Sequence, residues 1–181
     1  MNRLSWFLLG LWLPMLVSSQ SKLSFIGENI DFRIDEASFS INGLYQFVNY
    51  TNSDITQIIY FPFAISADSV NVKRVFNVTY VQPLQFQLKK SGIVFRLTVF
   101  AGDTISLHLS YVQPVSKENI YILTSTKIWK EALQYASYSL SIDSLVAIDA
   151  FSYKPDRQEN NVFYWNKTNF LPEKDFKIYI K

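Results

Sequence analysis

The sequence predicts an all-β protein, a single antiparallel β-sandwich of immunoglobulin-like type with one short helix, preceded by a signal peptide. Three observations predict this class. Apolar and polar side chains alternate in many segments, turn-forming residues separate those segments, and only one short stretch has helical character. About ten short strands with almost no helix are typical of two stacked antiparallel sheets.

A secretory signal peptide is predicted over residues 1–19, MNRLSWFLLGLWLPMLVSS. Arg3 supplies the cation, residues 6–17 form the apolar stretch, and small polar residues follow it. The stretch is shorter than the roughly 20 apolar residues that a membrane-spanning helix needs. Cleavage after Ser19 leaves residues 20–181 as the β-sandwich domain. We expect this domain to be secreted or periplasmic, with no membrane span after cleavage.

Charge and composition exclude several classes of function. The chain has 17 basic and 15 acidic residues, so no strong field attracts nucleic acid or an anionic membrane. It has no cysteine, which excludes disulfides, thiol catalysis, a lipid-attachment cysteine and thiolate metal sites. Its single histidine makes transition-metal binding a weak hypothesis. We therefore predict no nucleic-acid partner and no cofactor.

The N-terminal part of the domain is predicted as two strands. Residues 30–34 form the first, and Asp35-Glu36 ends it. Asn42-Gly43 in the next segment, FSINGLYQFVN, favours a hairpin turn when taken alone. A continuous strand instead places four side chains on one face: Phe39, Ile41, Tyr45 and Phe47. We prefer the continuous strand, with Gly43 as a bulge or a point of close packing.

A polar tetrad, Thr51-Asn52-Ser53-Asp54, follows in FVNYTNSDITQIIYFPF. It is predicted to be a hairpin connection to a strand at residues 55–61, because such side chains form turns by bonding local backbone. Pro62 ends that strand, since proline has no N–H for a ladder bond. We interpret the tetrad as scaffold that needs no ligand.

Residues 84–112 are predicted as a three-stranded antiparallel meander. LQFQL, GIVFRLTVF and ISLHLSY are its strands, and two Gly-containing connections separate them. Six further strands are predicted, at residues 69–80, 119–123, 135–143, 145–151, 162–166 and 176–180. The short helix is predicted at residues 127–134.

The sequence gives little support for catalysis. A Ser-His-Asp triad would have to use His108, whose place in an alternating strand beside Ser106 and Ser110 is explained by a solvated sheet face. No nucleophile elbow and no Gly-rich phosphate loop is present. Glycoside hydrolysis needs two facing acids, and the candidates are Asp31, Asp35, Glu36, Asp143 and Asp149. Calcium bound by loop oxygens around Asp54 or Asp156 stays an open alternative.

Aromatic residues make up 17% of the chain, and four of them are candidate ligand-binding residues: Trp129, Tyr153, Tyr164 and Trp165. Exposed together, they would form a platform for a carbohydrate or a peptide. The competing interpretation is packing in the core or across strands. Along NVFYWN, Phe163 and Trp165 share one face while Val162 and Tyr164 share the other.

Four segments carry a resemblance: IDFRI (30–34), ASFSINGLYQFVN (37–49), FPF (61–63) and YILT (121–124) with Trp129. Together they resemble an uncharacterised family of bacterial secreted β-sandwich domains of unknown function. The resemblance implies a β-sandwich in an exported protein and transfers no catalytic residue.

We predict a non-enzymatic exported module that acts in binding or structure at the bacterial cell envelope or outside the cell. Its partner is an unidentified protein or glycan, and an unpaired sheet edge that accepts an extended strand offers a mechanism. The alternative is a carbohydrate-binding module that uses exposed aromatic side chains. A second alternative is a glycoside-type hydrolase.

Overall fold

A computed structural model of the protein describes residues 23–181. The predicted signal peptide lies outside the described residues. In chain order the strands are β1 (Leu23–Ile34), β2 (Ser38–Asn49), β3 (Ile55–Pro62), β4 (Asn71–Asn77), β5 (Gln82–Pro83), β6 (Phe86–Lys89), β7 (Gly92–Val99), β8 (Thr104–Pro114), β9 (Glu118–Tyr121), β10 (Leu133–Ile142), β11 (Ile148–Phe151), β12 (Arg157–Glu159), β13 (Val162–Phe170) and β14 (Phe176–Ile180). Two 3-10 helices span Ala67–Ser69 and Thr124–Trp129. The all-β prediction is confirmed, and none of the helices within residues 23–181 has the length and hydrophobicity to cross a bilayer.

The strands form one large sheet that two small sheets cover on one face. The large sheet has eight strands in the order β12-β13-β10-β1-β2-β8-β4-β5. The β7 sheet consists of β3-β7-β6 and the β14 sheet of β11-β14-β9. Buried side chains from all three sheets form one hydrophobic core. The sandwich prediction is confirmed, and its second layer is divided into two sheets.

Alternation on the large sheet separates a dry inner face from a polar outer face. On β8, Ile105, Leu107, Leu109 and Tyr111 are all buried. The outer face carries hydrogen-bonded polar pairs between strands: Ser137 Oγ donates to Asn29 Oδ1, and Ser139 Oγ to Asp31 Oδ1, each at 2.6 Å. The two-residue alternation that predicts the strands therefore also shows which side chains of the large sheet face the core and which face outward.

One strand pair departs from the predicted antiparallel arrangement. β1 and β10 run parallel, from Gly27 opposite Tyr135 to Ile34 opposite Ile142. A parallel pair needs a long crossover connection, and residues 35–132 provide it. The antiparallel prediction is wrong for this pair and correct for the other strand pairs of the described chain.

The prediction of one continuous strand through Asn42-Gly43 is confirmed. β2 pairs with β1 in unbroken register around Gly43, which lies opposite Ile30. The turn comes earlier, where Asp35 Oδ1 accepts hydrogen bonds from the N–H groups of Ala37 and Ser38 at 2.9 and 2.7 Å. Gly43 is a point of close packing, because a Cβ there would collide with the side chain of Tyr45.

The predicted meander over residues 84–112 is wrong in its second half. β6 and β7 form the expected hairpin, but β7 pairs on its other side with β3, and β8 lies between β2 and β4. The connection at residues 101–103 therefore crosses from one layer to the other. The tetrad at residues 51–54 crosses in the same way, from β2 to β3, instead of closing a hairpin.

The predicted helix at residues 127–134 is also corrected. The helical segment is the 3-10 helix Thr124–Trp129, and β10 already begins at Leu133. Lys130 adopts a left-handed conformation with φ 59°. That conformation ends the helical turn and lets the chain leave in an extended form.

The buried Asn49 side chain links the two loops that connect the layers, the one after β2 and the one after β7. Its Nδ2 lies 2.8 to 3.0 Å from the carbonyl oxygens of Ser53, Val99 and Phe100. Asp54 Oδ1 accepts a hydrogen bond from the backbone N–H of Ala101, in the loop between β7 and β8, at 3.0 Å. Within the tetrad, Thr51 Oγ1 donates to the Ser53 carbonyl at 2.9 Å, which is the local backbone bonding that the scaffold interpretation predicts.

Replacing Asn49 with alanine is expected to lower the free energy of unfolding by about 1–3 kcal/mol, because buried carbonyl groups lose their donor. Urea denaturation followed by circular dichroism measures the loss. Asn52→Ala is the matched control, because Asn52 lies exposed in the same loop. Equal losses in the two variants would show that the amide of Asn49 does not fasten these loops.

Candidate ligand-binding site

A cavity of about 470 Å³ opens between the two small sheets. Residues 57–62 of β3 form one wall. Tyr121 and the 3-10 helix Thr124–Trp129 contribute to the opposite wall. The inner face of the large sheet provides the floor through Phe25, Glu28, Tyr45, Phe47 and Leu107.

Aromatic side chains make up much of the lining. The ring of Trp129 lies 5.9 Å from that of Phe25 and 5.4 Å from that of Phe47, measured between centroids. Tyr45 and Phe61 meet edge to face at 5.5 Å. Such contacts hold the rings in place, so the cavity has stable apolar walls.

A hydrogen bond to the β14 sheet holds the helical wall. Thr124 donates both its backbone N–H and its hydroxyl to Asp175 Oδ1, at 2.9 and 2.7 Å. Asp175 directly precedes β14. The 3-10 helix that carries Trp129 is therefore anchored to a sheet at its first residue.

Glu28 is the only acidic residue among the described residues that line the cavity, and the residue is 1% exposed. Oε1 accepts a hydrogen bond from the Tyr138 hydroxyl at 2.6 Å, and Oε2 accepts one from the Tyr121 hydroxyl at 3.1 Å. The Tyr121 hydroxyl also lies 3.2 Å from that of Tyr45. Three tyrosines from β2, β9 and β10 thus surround one carboxyl group.

Burial raises the pKa of Glu28 to about 7. The apolar surroundings disfavour the charged form, and the hydrogen bonds from Tyr138 and Tyr121 offset only part of this effect. Burial, and next the charge of Glu28, raise the pKa of Tyr45, Tyr121 and Tyr138 well above the usual value. The hydroxyls therefore keep their protons, while Glu28 changes charge near neutral pH.

A β-bulge near the start of β1 brings Glu28 to the inner face. Phe25 pairs with Phe47 but Gly27 pairs with Gln46, so β1 holds one extra residue at this point. A bulge shifts the alternation by one residue. Phe25 before the bulge and Glu28 after it consequently face the same cavity.

Sequence-based reasoning missed Glu28, although a signal was present. Ile30, Phe32 and Ile34 alternate on the buried face of β1. Extending that alternation two residues toward the N-terminus reaches Glu28, an acidic residue at a core position. Buried ionisable groups in a cavity are typical of functional sites.

Of the four predicted site residues, only Trp129 lines the cavity. Trp165 is 0% exposed. It packs edge-on against Phe151 and Phe176, at 5.3 and 4.9 Å between ring centroids. Trp165 is therefore a core residue and cannot belong to an exposed platform.

Tyr153 and Tyr164 lie apart from the cavity. Tyr153 is half-buried, and its ring stacks 6.0 Å from that of Phe176. Tyr164 points to the outer face of the large sheet, where the guanidinium of Arg157 sits 4.3 Å from its ring centroid. The structure does not bring the four aromatic residues together, which corrects the prediction of one exposed platform.

The residues considered for catalysis also lie outside the cavity. His108 is on the outer face of the large sheet and its Nε2 is hydrogen-bonded with Asn42 Oδ1. Partial burial, and next the charge of Arg74, lower its pKa. None of the acids considered for glycoside hydrolysis lines the cavity. Within residues 23–181, His, Asp and Glu form no group of three or more that could hold a metal ion.

The chain matches no protein-family model and no curated protein, so the resemblance to bacterial secreted domains stays a prediction. Among solved structures, a candidate nutrient-binding protein from Legionella pneumophila has a similar fold. The TM-score is 0.67 at 14% identity, over 90% of this chain and 68% of that one. This likeness shows the fold alone.

Parts of two enzymes also share the fold. Leukotriene A4 hydrolase from Saccharomyces cerevisiae matches with a TM-score of 0.55 at 10% identity, over 91% of this chain and 30% of that one. An M1 zinc metallopeptidase from Deinococcus radiodurans matches with 0.51 at 9% identity, over 88% and 43%. The chain spans less than half the length of either enzyme.

Proposed function

We propose that the chain is a non-enzymatic binding module at the bacterial cell envelope or outside the cell, and that its cavity holds an apolar ligand carrying a protonated amine. One observation carries the proposal: the aromatic cavity leads to a buried carboxyl group that, within residues 23–181, has no cationic partner. Mostly apolar cavities with a few convergent polar groups are typical ligand sites. The predicted signal peptide supports the location.

The charge of Glu28 argues for an amine. None of the ion pairs recorded for residues 23–181 involves Glu28, and its partners are the hydroxyls of Tyr121 and Tyr138. Each carboxylate oxygen can accept a further hydrogen bond. A ligand ammonium would supply the missing charge, and the surrounding aromatic faces attract cations as well.

The shared fold supports a binding role. The candidate nutrient-binding protein from Legionella pneumophila has this fold over 90% of the present chain, and its name describes binding of a nutrient. The two enzymes contain the fold as part of longer chains. Binding is therefore the role that both the cavity and the most extensive of these likenesses support.

Three compounds with one apolar body test the proposal: 2-phenylethylamine, 2-phenylethanol and 3-phenylpropionate. Isothermal titration calorimetry at pH 8 is expected to detect binding of the amine alone. Affinity should fall about 10-fold from pH 8 to pH 6, because Glu28 is then mostly protonated. Glu28→Gln should weaken amine binding by about 10-fold or more at pH 8, since the ion pair is lost.

Glu36→Gln is the matched control, because Glu36 is exposed and lies outside the cavity. This variant should bind the amine like the unmodified protein. Equal binding of all three compounds, or undiminished amine binding by Glu28→Gln, would refute the proposed ligand class.

A further inference from the structure

The cavity lies beside an unpaired strand edge. β3 is an edge strand of the β7 sheet, and within the described chain it pairs only with β7, from Ile55 opposite Val99 to Pro62 opposite Gly92. Six consecutive residues of β3, 57–62, line the cavity. The cavity therefore follows the strand as a cleft. On its far side is Tyr121 of β9, the edge strand of the β14 sheet.

Alternation along β3 shows which backbone groups face the cleft. The N–H of Phe63 donates to the Ser91 carbonyl at 2.9 Å, on the side of the β7 sheet. Alternate residues of an antiparallel strand direct N–H and C=O to the same side. Ile58 and Tyr60 therefore direct theirs to the open edge. Pro62 faces the same side. Because proline has no backbone N–H, the open edge has no unpaired donor at this position.

The β3 edge lacks the protection that the other edges have. Its sequence, ITQIIYFP, contains no charged residue over eight positions. Every other edge strand of three or more residues in the described chain carries a charge, in the sequences RQE, IDAF, ENIY and FQLK. Charged side chains on edge strands prevent pairing with other chains, so among the described edge strands of three or more residues β3 is the one open to pairing.

The rim of the cleft is apolar as well as uncharged. The Ile58 side chain on β3 is 66% exposed, and that of Ile128 on the opposite wall is 78% exposed. Both line the cavity entrance. Exposed apolar side chains around a groove are typical of an interaction site.

We propose that the natural ligand is an extended peptide that adds a strand to the free edge of β3 and inserts a lysine side chain toward Glu28. This inference rests on the proposed function, because it assigns a chemical class to the ligand of the same cavity. Main-chain hydrogen bonds to Ile58 and Tyr60 give affinity, and the pocket for one side chain gives specificity.

The charge distribution favours a lysine-bearing peptide over a second copy of this chain. Two copies that paired through β3 would bring no cation to Glu28, since β3 has none. A lysine side chain has an apolar stem that suits the aromatic walls and a compact ammonium group. The positive charge of the ammonium group would neutralise the buried carboxylate of Glu28, which takes part in none of the ion pairs within residues 23–181.

A peptide array tests the inference. Heptapeptides of the form Ac-X₃-Lys-X₃-NH₂ are probed at pH 8 beside arrays with norleucine or glutamate at the centre. The strongest binder is labelled with fluorescein, and its Kd is measured by fluorescence anisotropy. Norleucine in place of lysine is expected to weaken binding about 10-fold or more. Equal binding of the lysine and norleucine arrays, or no binding on any array, overturns the inference.

Backbone pairing is tested from both sides of the interface. Ile58→Pro removes an N–H at the open edge and should weaken peptide binding about 10-fold, whereas Ile58→Ala should weaken it about 3-fold at most. N-methylation of alternate peptide amides should weaken binding on one edge of the peptide and not on the other. Should Ile58→Pro fail to fold, as judged by circular dichroism, the methylated peptides carry the same test.

The outcomes separate this inference from the proposed function. If 2-phenylethylamine binds in a Glu28-dependent way but N-methylation of the peptide has no effect on either edge, strand addition is wrong and the amine site stands. If neither amine nor peptide binds, both are wrong. A concentration-dependent dimer in sedimentation velocity that Ile58→Pro abolishes would show that a second copy occupies the edge, which also overturns the inference.

Discussion

Replacing Glu28 with glutamine is expected to stabilise the fold by about 2–3 kcal/mol at pH 8 and to change its stability little at pH 4.5. Burial raises the pKa of Glu28 from 4.5 in the unfolded chain to about 7 in the folded one. Between these values the folded state binds the extra proton. The contribution of Glu28 to the unfolding free energy therefore falls as pH rises through this window and levels off above pH 7. Glutamine removes the titration and with it this loss.

Urea denaturation at pH 4.5, 6 and 8 measures the effect as a difference between the unmodified protein and Glu28→Gln. The difference isolates one carboxyl group from all others that titrate in the same range. Glu36→Gln serves again as the control on an exposed acid, and at pH 8 it should change stability far less than Glu28→Gln does, because an exposed side chain loses no buried environment. A Glu28→Gln difference that does not grow between pH 4.5 and 8 would show that Glu28 is not held in an environment that disfavours its charge.

Replacing Trp165 with alanine is expected to cost about 3–5 kcal/mol of unfolding free energy. Trp165 is fully buried, contacts the rings of Phe151 and Phe176 and donates its Nε1–H to the carbonyl of Tyr153 at 2.9 Å. Alanine leaves a large void and an unpaired carbonyl group. Guanidinium denaturation measures the loss.

Two further variants serve as controls for that measurement. Tyr164→Ala changes the neighbouring residue, which faces the outer side of the sheet, and should cost less than about 1.5 kcal/mol. Trp129→Ala, at the half-buried cavity wall, should affect amine binding more than stability. If Trp165→Ala cost no more than Tyr164→Ala, Trp165 would not be the core residue that its burial indicates.

Local patterns predicted the strands because the orientation of a side chain on a strand depends on its immediate neighbours. β14 was predicted with both its ends, and β2 was predicted as one strand despite its Asn-Gly pair. The partner of a strand depends on contacts far away in the chain. β7 pairs with β3, about 40 residues earlier, and no turn signal at residues 101–103 distinguishes a hairpin from a crossing between layers.

The candidate site was predictable only in part for the same reason. Trp129 was identified by its residue type. Glu28, Tyr121 and Tyr138 meet across separations of 93 and 110 residues, and only the packing of the two layers brings them together. The alternation of β1 marks Glu28 as a buried acid, but its tyrosine partners follow from the parallel pairing of β1 with β10 and from the position of β9.

The parallel pair also determines when Glu28 acquires its closest hydrogen-bond donor as the chain is synthesised. β1 lies in the middle of the large sheet, between β2 and β10, and β10 follows it by about a hundred residues. A nascent chain that ends before residue 138 lacks the hydroxyl closest to Glu28. Glu28 therefore cannot complete its native hydrogen bonds until the chain has been synthesised as far as Tyr138.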